Sequence, residues 1–210
     1  MLDQIVDVSH HNGHHLDFQA AAQSGNLAII HKASQGTLYV DPMFSTNRAL
    51  IAKLNPPILF GSYHFGDGSD GSEQARHYLS VVTPKKNELL SLDFEGNTAG
   101  STMTLEEARA FVVYIKTYIG KWPVLYGGHY LKEKLQGGED PVLKNCPLWI
   151  AQYGAVAVVP PGWSKWSLWQ FTDGMVNNPL AIPGIGHCDQ DRFDGDEAGL
   201  RAFWANVSPL

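Results

Sequence analysis

Leu89-Leu90-Ser91-Leu92-Asp93-Phe94-Glu95 is a short, almost wholly apolar run that ends in two acids separated by one aromatic ring. Asn87 bounds it upstream and Gly96-Asn97 downstream, so it reads as a buried strand between turns. Residues two apart on a strand point to the same side, so Asp93 and Glu95 should project together from its C-terminal end. Two carboxyls at close range raise each other's pKa, which makes one proton donor and one negative charge at one place. The plain alternative is a surface strand end with two solvated acids.

Outward from this run, short apolar segments alternate with helical patterns. Strands are expected at Ile5–Val8, Ala28–Lys32, Ile58–Tyr63, Leu89–Phe94, Pro123–Tyr126, Leu148–Ala151, Ser167–Phe171 and near Ile185–Asp191. Helices are expected at Phe18–Gln23, Met43–Lys53, Glu73–Val81, Leu105–Ile119, Tyr130–Leu135 and Glu197–Val207. The clearest opens on Thr104-Leu105-Glu106-Glu107, a capping box, and closes at Gly120. Such alternation implies an α/β fold with a largely parallel sheet, and about eight strands imply a closed or nearly closed barrel. At 210 residues the chain is short for a regular barrel, so some helices must be missing. The Pro-rich Val156–Gly162 segment is one place where none fits. With no linker or repeat, residues 1–210 are read as one domain.

The polar residues gather at the expected strand ends. Asp7, His31, Lys32, Tyr63, His64, Asp93, Glu95, Tyr126, Trp149, Gln152, Trp169, Gln170, Asp189 and Asp191 all fall there. In a parallel barrel these ends converge on one face, where active sites sit. Carboxylates among aromatic rings suit carbohydrate, the acids for chemistry and the rings for stacking on sugar faces. A net charge of −6 argues against a binder of nucleic-acid phosphates. No apolar stretch reaches membrane-spanning length, and the start shows no secretory signal. The tract His10-His11-Asn12-Gly13-His14-His15 has a metal-like composition, but Asn12-Gly13 marks a turn, and no metal or other cofactor is expected. Cys146 and Cys188 do not make a disulfide framework, and whether they pair is left open.

The chain resembles the lysozymes of glycoside hydrolase family 25, which are N-acetylmuramidases. The resemblance runs through Asp7-Val8-Ser9, His11-Asn12-Gly13, Leu16-Asp17-Phe18, His31-Lys32-Ala33-Ser34-Gln35-Gly36, Tyr39-Val40-Asp41-Pro42 and Gly61-Ser62-Tyr63-His64-Phe65. It continues through Leu92-Asp93-Phe94-Glu95, Tyr126-Gly127, Leu148-Trp149-Ile150-Ala151-Gln152-Tyr153, Leu168-Trp169-Gln170-Phe171 and Cys188-Asp189-Gln190-Asp191-Arg192-Phe193-Asp194-Gly195. One departure is Ser34-Gln35-Gly36, where the family more often carries Thr-Glu-Gly. The resemblance implies an irregular, flattened (β/α) barrel of about eight mostly parallel strands with fewer helices than strands.

It also implies cleavage of the β-1,4 bond between N-acetylmuramic acid and N-acetylglucosamine in peptidoglycan glycan strands. Glu95 would be the general acid and Asp93 its ionised helper in a substrate-assisted reaction, with direct attack by Asp93 on the sugar as the alternative. Asp7, Asp189 and Tyr63 would support them, with Tyr126, Trp149 and Trp169 as sugar-binding walls. Asp191 has the weaker claim of the two late acids, its plain role being a structural carboxylate. Two rivals stay open at this point: a non-catalytic glycan-binding module, and a metal-dependent hydrolase using Asp7, His10, His31, Asp93 and Asp189. A monomer acting on the cell wall outside the cytoplasm is expected, reached by phage-type endolysin release or by machine-delivered export.

Overall fold

The computed structural model describes residues 1–177 and 179–209. Among these residues nine strands and six α-helices follow in chain order: β1 Leu2–Val8, α1 Phe18–Gln23, β2 Ala28–Gln35, β3 Tyr39–Val40, α2 Phe44–Ile51, β4 Leu59–Phe65, α3 Gly71–Val82, β5 Glu88–Asp93, α4 Leu105–Ile119, β6 Val124–Gly127, α5 His129–Leu135, β7 Leu148–Ala151, β8 Leu168–Thr172, β9 Asp189–Phe193 and α6 Glu197–Val207. The sheet runs β1-β9-β8-β7-β6-β5-β4-β2-β3, and pairing of β1 with β2 closes it. Eight strands thus form the barrel, while β3 is a two-residue extension that folds back on the end of β2.

The parallel character holds from β1 through β2 and β4 to β8, but β9 runs antiparallel to both β8 and β1. The final strand is therefore later than the sequence pattern placed it, at Asp189–Phe193 rather than near Ile185–Asp191. The physical reason is the connection. Two parallel neighbours need a crossover, usually a helix, and the described residues between β8 and β9 form none. The Pro-rich segment between β7 and β8 is likewise without a helix.

Alternation divides the strands into two apolar layers. Val6, Val8, Ile29, Leu90, Leu92, Phe94, Leu125, Leu148 and Ile150 face outward and pack under the helices. Ile5, Ala28, Ile30, Leu89, Val124, Tyr126, Trp149, Leu168 and Phe193 face inward. Helix α6 stoppers the barrel at the N-terminal ends of the parallel strands, adding Leu200, Trp204 and Val207 to the inner layer. The Trp204 indole N–H donates to the Phe60 carbonyl at 2.9 Å, so the burial of its ring leaves no polar atom unpaired. Helix α4 has the reciprocal cap read from the sequence: the Glu107 N–H donates to Thr104 Oγ1 at 3.3 Å, and the Thr104 N–H to Glu107 Oε2 at 2.6 Å. Gly120 ends it in the left-handed conformation, at φ 80°.

With its floor sealed, the barrel can carry polar groups only at the other end. Trp204→Ala should lower unfolding stability by about 3–5 kcal/mol in denaturant titration, since it hollows the stopper. A loss under about 1 kcal/mol would contradict that role.

Candidate active site

The inward positions that follow the apolar layer are polar. Asp7 comes from β1, Lys32 from β2, Tyr63 from β4, Asp93 from β5, Tyr126 from β6, Trp149 from β7, Gln170 from β8 and Asp189 from β9. Asp7, Tyr63, Asp93, Glu95, Tyr126, Trp149, Tyr153, Gln170 and Asp189 line one central pocket of about 190 Å³. A groove of about 800 Å³ opens from it past Glu95, Tyr126, His129, Lys132 and Gln152. A second arm, about 350 Å³, runs the other way past Ser9, Asn12, Lys32 and Phe65. Glu95 borders all three spaces; it stands where the arms meet.

The acids are tied into the barrel wall. Gln170 Nε2 donates to Asp7 Oδ2 at 2.9 Å, and Gln170 Oε1 accepts from the Tyr126 and Tyr153 hydroxyls at 2.9 and 3.0 Å. One amide therefore fixes an acid and two phenols. Asp93 is buried, and its Oδ1 has no hydrogen-bond partner among the described residues.

Burial is the first cause of the raised pKa of each carboxyl here. It raises Asp93 well above the ordinary range, the charge of Glu95 adds to this, and Lys32 opposes it. Burial also raises Glu95, again against Lys32. Asp189 is pushed up to about 6, by burial first and the charge of Asp173 next. Asp7 is raised well above its usual value, by burial and then by Asp189 and Asp191. Lys32 Nζ donates at 2.9 Å to Gln35 Oε1, a neutral amide at the position where the departure from the family pattern fell. Gln35 thus leaves the ammonium charge unneutralised beside Asp93 and Glu95.

Two expected sugar walls need revision. Trp169 is buried in the outer layer, with its indole N–H on the Gln152 carbonyl at 2.7 Å, so it does not line the cleft. Its neighbour Gln170 points inward, and one step along a strand reverses the face. Trp149 lines the pocket but is almost fully covered, so it exposes too little surface for a sugar to stack on. Tyr153, missed as a site residue, supplies an exposed aromatic side chain next to Gln170. Its signal lay in the expected strand end Ala151, two residues earlier.

The metal-dependent constellation does not assemble. The His31 ring lies on the outer face, with Nε2 2.9 Å from Asn47 Nδ2 and Nδ1 2.7 Å from the Lys32 carbonyl. His10 Nδ1 lies 2.8 Å from Asp41 Oδ2, and residues 10–12 form a short 3-10 helix rather than an open loop. Cys146 and Cys188 are both buried free thiols.

Residues 6–179 match the model of glycosyl hydrolases family 25. The chain belongs to this family. It is 26% identical over 175 residues to the N,O-diacetylmuramidase of a Chalaropsis species, covering 75% of this chain and 82% of that protein. The fold superposes on the bacterial lysozyme of Streptomyces coelicolor with a TM-score of 0.83 and 26% identity, covering 97% of each chain. For the muramidase of Trichobolus zukalii the TM-score is 0.80 and the identity 29%, covering 95% of this chain and 97% of that one. This family 25 member is thus a glycoside hydrolase with an acid-lined cleft at the open end of its barrel.

Stability should report the protons held there. A carboxyl whose pKa is raised by folding is protonated in the native state and ionised in the unfolded one, so stability falls as pH climbs toward the native pKa. The buried His64, lowered to about 3 chiefly by burial, has the opposite effect, but only below the ordinary histidine value of 6.5. Between about pH 6.5 and 8 the acids act alone among these groups, and denaturant titrations should show stability declining. A flat or rising profile there would contradict the protonated cluster.

Proposed function

We propose that residues 1–210 form one catalytic domain that hydrolyses the β-1,4 bond following N-acetylmuramic acid in peptidoglycan, acting on the cell wall. Family membership and the muramidase relatives support this substrate. The observation that carries the assignment of roles is the position of Glu95 at the meeting point of the two arms of the cleft. A proton donor to a glycosidic oxygen must reach between two sugars, and of the central-pocket acids Asp7, Asp93, Glu95 and Asp189 only Glu95 also borders the larger groove.

Glu95 and Asp93 are coupled, so their protons belong to the pair. The competent form has one proton, on Glu95, and the charge on Asp93; Lys32 favours ionisation of either member and so works against a second proton on the pair. Glu95 gives its proton to the glycosidic oxygen as the bond from the anomeric carbon breaks. The oxygen of the substrate's own N-acetyl group closes on that carbon from the opposite side, and Asp93 stabilises the positive charge that develops. Glu95, now a carboxylate, takes a proton from the water that opens this intermediate, which returns the site to its starting state. Asp7, Asp189 and Tyr63 hold the sugar, with Tyr126 and Tyr153 along its path.

Two substitutions test these roles. Glu95→Gln should slow turbidity clearance of purified cell walls by roughly 100- to 10,000-fold, and Asp93→Asn by about 100-fold or more, with the fold intact by circular dichroism. Mass spectrometry of released muropeptides should show a new reducing end on N-acetylmuramic acid. Near-normal clearance by folded Glu95→Gln would overturn the acid assignment. A wild type that binds walls but releases no muropeptide would favour a glycan-binding module.

A further inference from the structure

The proposed reaction leaves one acid unused. Asp191 is fully buried, and its register opposite Ile5 of β1 and Gln170 of β8 puts it one inward layer below Asp189, which lies opposite Asp7. Its Oδ1 accepts the Trp149 indole N–H at 2.6 Å. Its Oδ2 is sealed from solvent, and no N–H or hydroxyl among the described residues donates to it. The Asp7 side chain lies within hydrogen-bonding reach of Asp191, and Asp7 Oδ2 already accepts from Gln170. Two carboxylates in contact inside a barrel repel. A carboxylic acid and a carboxylate in the same place make a strong, directed hydrogen bond.

We propose that Asp191 is a positioning residue of the catalytic cleft that shares one proton with Asp7. The pair then carries a single negative charge, and Asp7 is held in one orientation under the bound sugar by Gln170 on one side and Asp191 on the other. The effect on turnover rests on the cleft being the site of hydrolysis; the shared proton does not.

The surroundings favour retention of that proton. The titratable groups facing the pair are Asp189 and Cys188 beside Asp191, with Tyr63 from β4 and Tyr126 from β6 facing Asp7. The contacts from β7 and β8 are the neutral Trp149 and Gln170. None of these is a cation able to replace the proton. Burial pushes Asp191 up to about 8, and Asp189 adds to this against the Trp149 N–H and Asp7.

Two variants separate a shared proton from a merely structural carboxylate. In Asp191→Asn an amide N–H can take the place of the proton, and the amide oxygen can still accept from Trp149. In Asp191→Leu both Asp7 and Trp149 lose their partner. Muropeptide release by Asp191→Leu should show kcat lowered roughly 100-fold, and Asp191→Asn should recover to within about 5-fold of wild type. Without any substrate, difference infrared spectra at pH 7 should show a buried carboxylic acid band of the Asp7–Asp191 pair in the wild type that disappears in Asp191→Asn, while the absorption of the Asp93–Glu95 pair stays. Between pH 6.5 and 8, that variant's stability should also decline less steeply, by the linkage of one proton. Persistence of both the band and the wild-type slope would overturn the proposal, as would an Asp191→Asn as slow as Asp191→Leu with both folded. The spectra and the slope decide even if Asp191→Leu does not fold. Loss of the band in a protein whose wild type releases no muropeptide would keep the shared proton and reject the muramidase reading.

Discussion

A closed barrel gives each strand an inside and an outside, and the interior of this one is too small to be both wet and packed. Its lower half is filled by Ile5, Ala28, Leu89, Leu168 and the α6 residues Leu200 and Trp204. The inward positions above them carry Asp7, Asp93, Asp189 and Asp191, with Glu95 just past the end of β5. These acids stand on a dry floor, where ionisation is costly because the surrounding medium screens poorly. The raised pKa values, the neutral amide of Gln170 joining three side chains, and the influence of Lys32 on the Asp93–Glu95 pair all follow from that one condition.

Alternation made much of this legible before the structure. In Leu89–Glu95 the odd positions face in and the even ones face out, so the acid pair and the buried strand came from one pattern. The same rule, applied to Leu168-Trp169-Gln170, separates Trp169 from the cleft once Gln170 is known to face in. Nothing local says which of the two neighbours is inward, because both are compatible with burial. Tyr153 was hidden for a different reason: it lies beyond the end of β7, where alternation no longer predicts direction.

The reversed direction of β9 was also beyond local reading. Asp189-Gln190-Asp191-Arg192-Phe193 would suit a parallel or an antiparallel strand, and only its partners decide. Its reversal brings the start of the strand, rather than its end, to the open face. Asp189 therefore meets Asp7, and Asp191 falls one layer deeper. The histidines show the converse. His31 and His64 occupy outward positions, where Asn47, Ser34 and Gln74 answer their ring nitrogens. A histidine near a cluster of acids in sequence thus becomes part of the wall rather than of the site.

The central claim is that burial and mutual repulsion keep protons on this cluster at neutral pH, and that one of them is on the Asp93–Glu95 pair. Carbon-detected NMR titration of the side-chain carboxyls in the unliganded protein observes this directly. The account predicts that Asp93 and Glu95 titrate in coupled steps, both above the ordinary carboxyl range. Independent titration of the two near pH 4, each as a solvated surface acid, would contradict it.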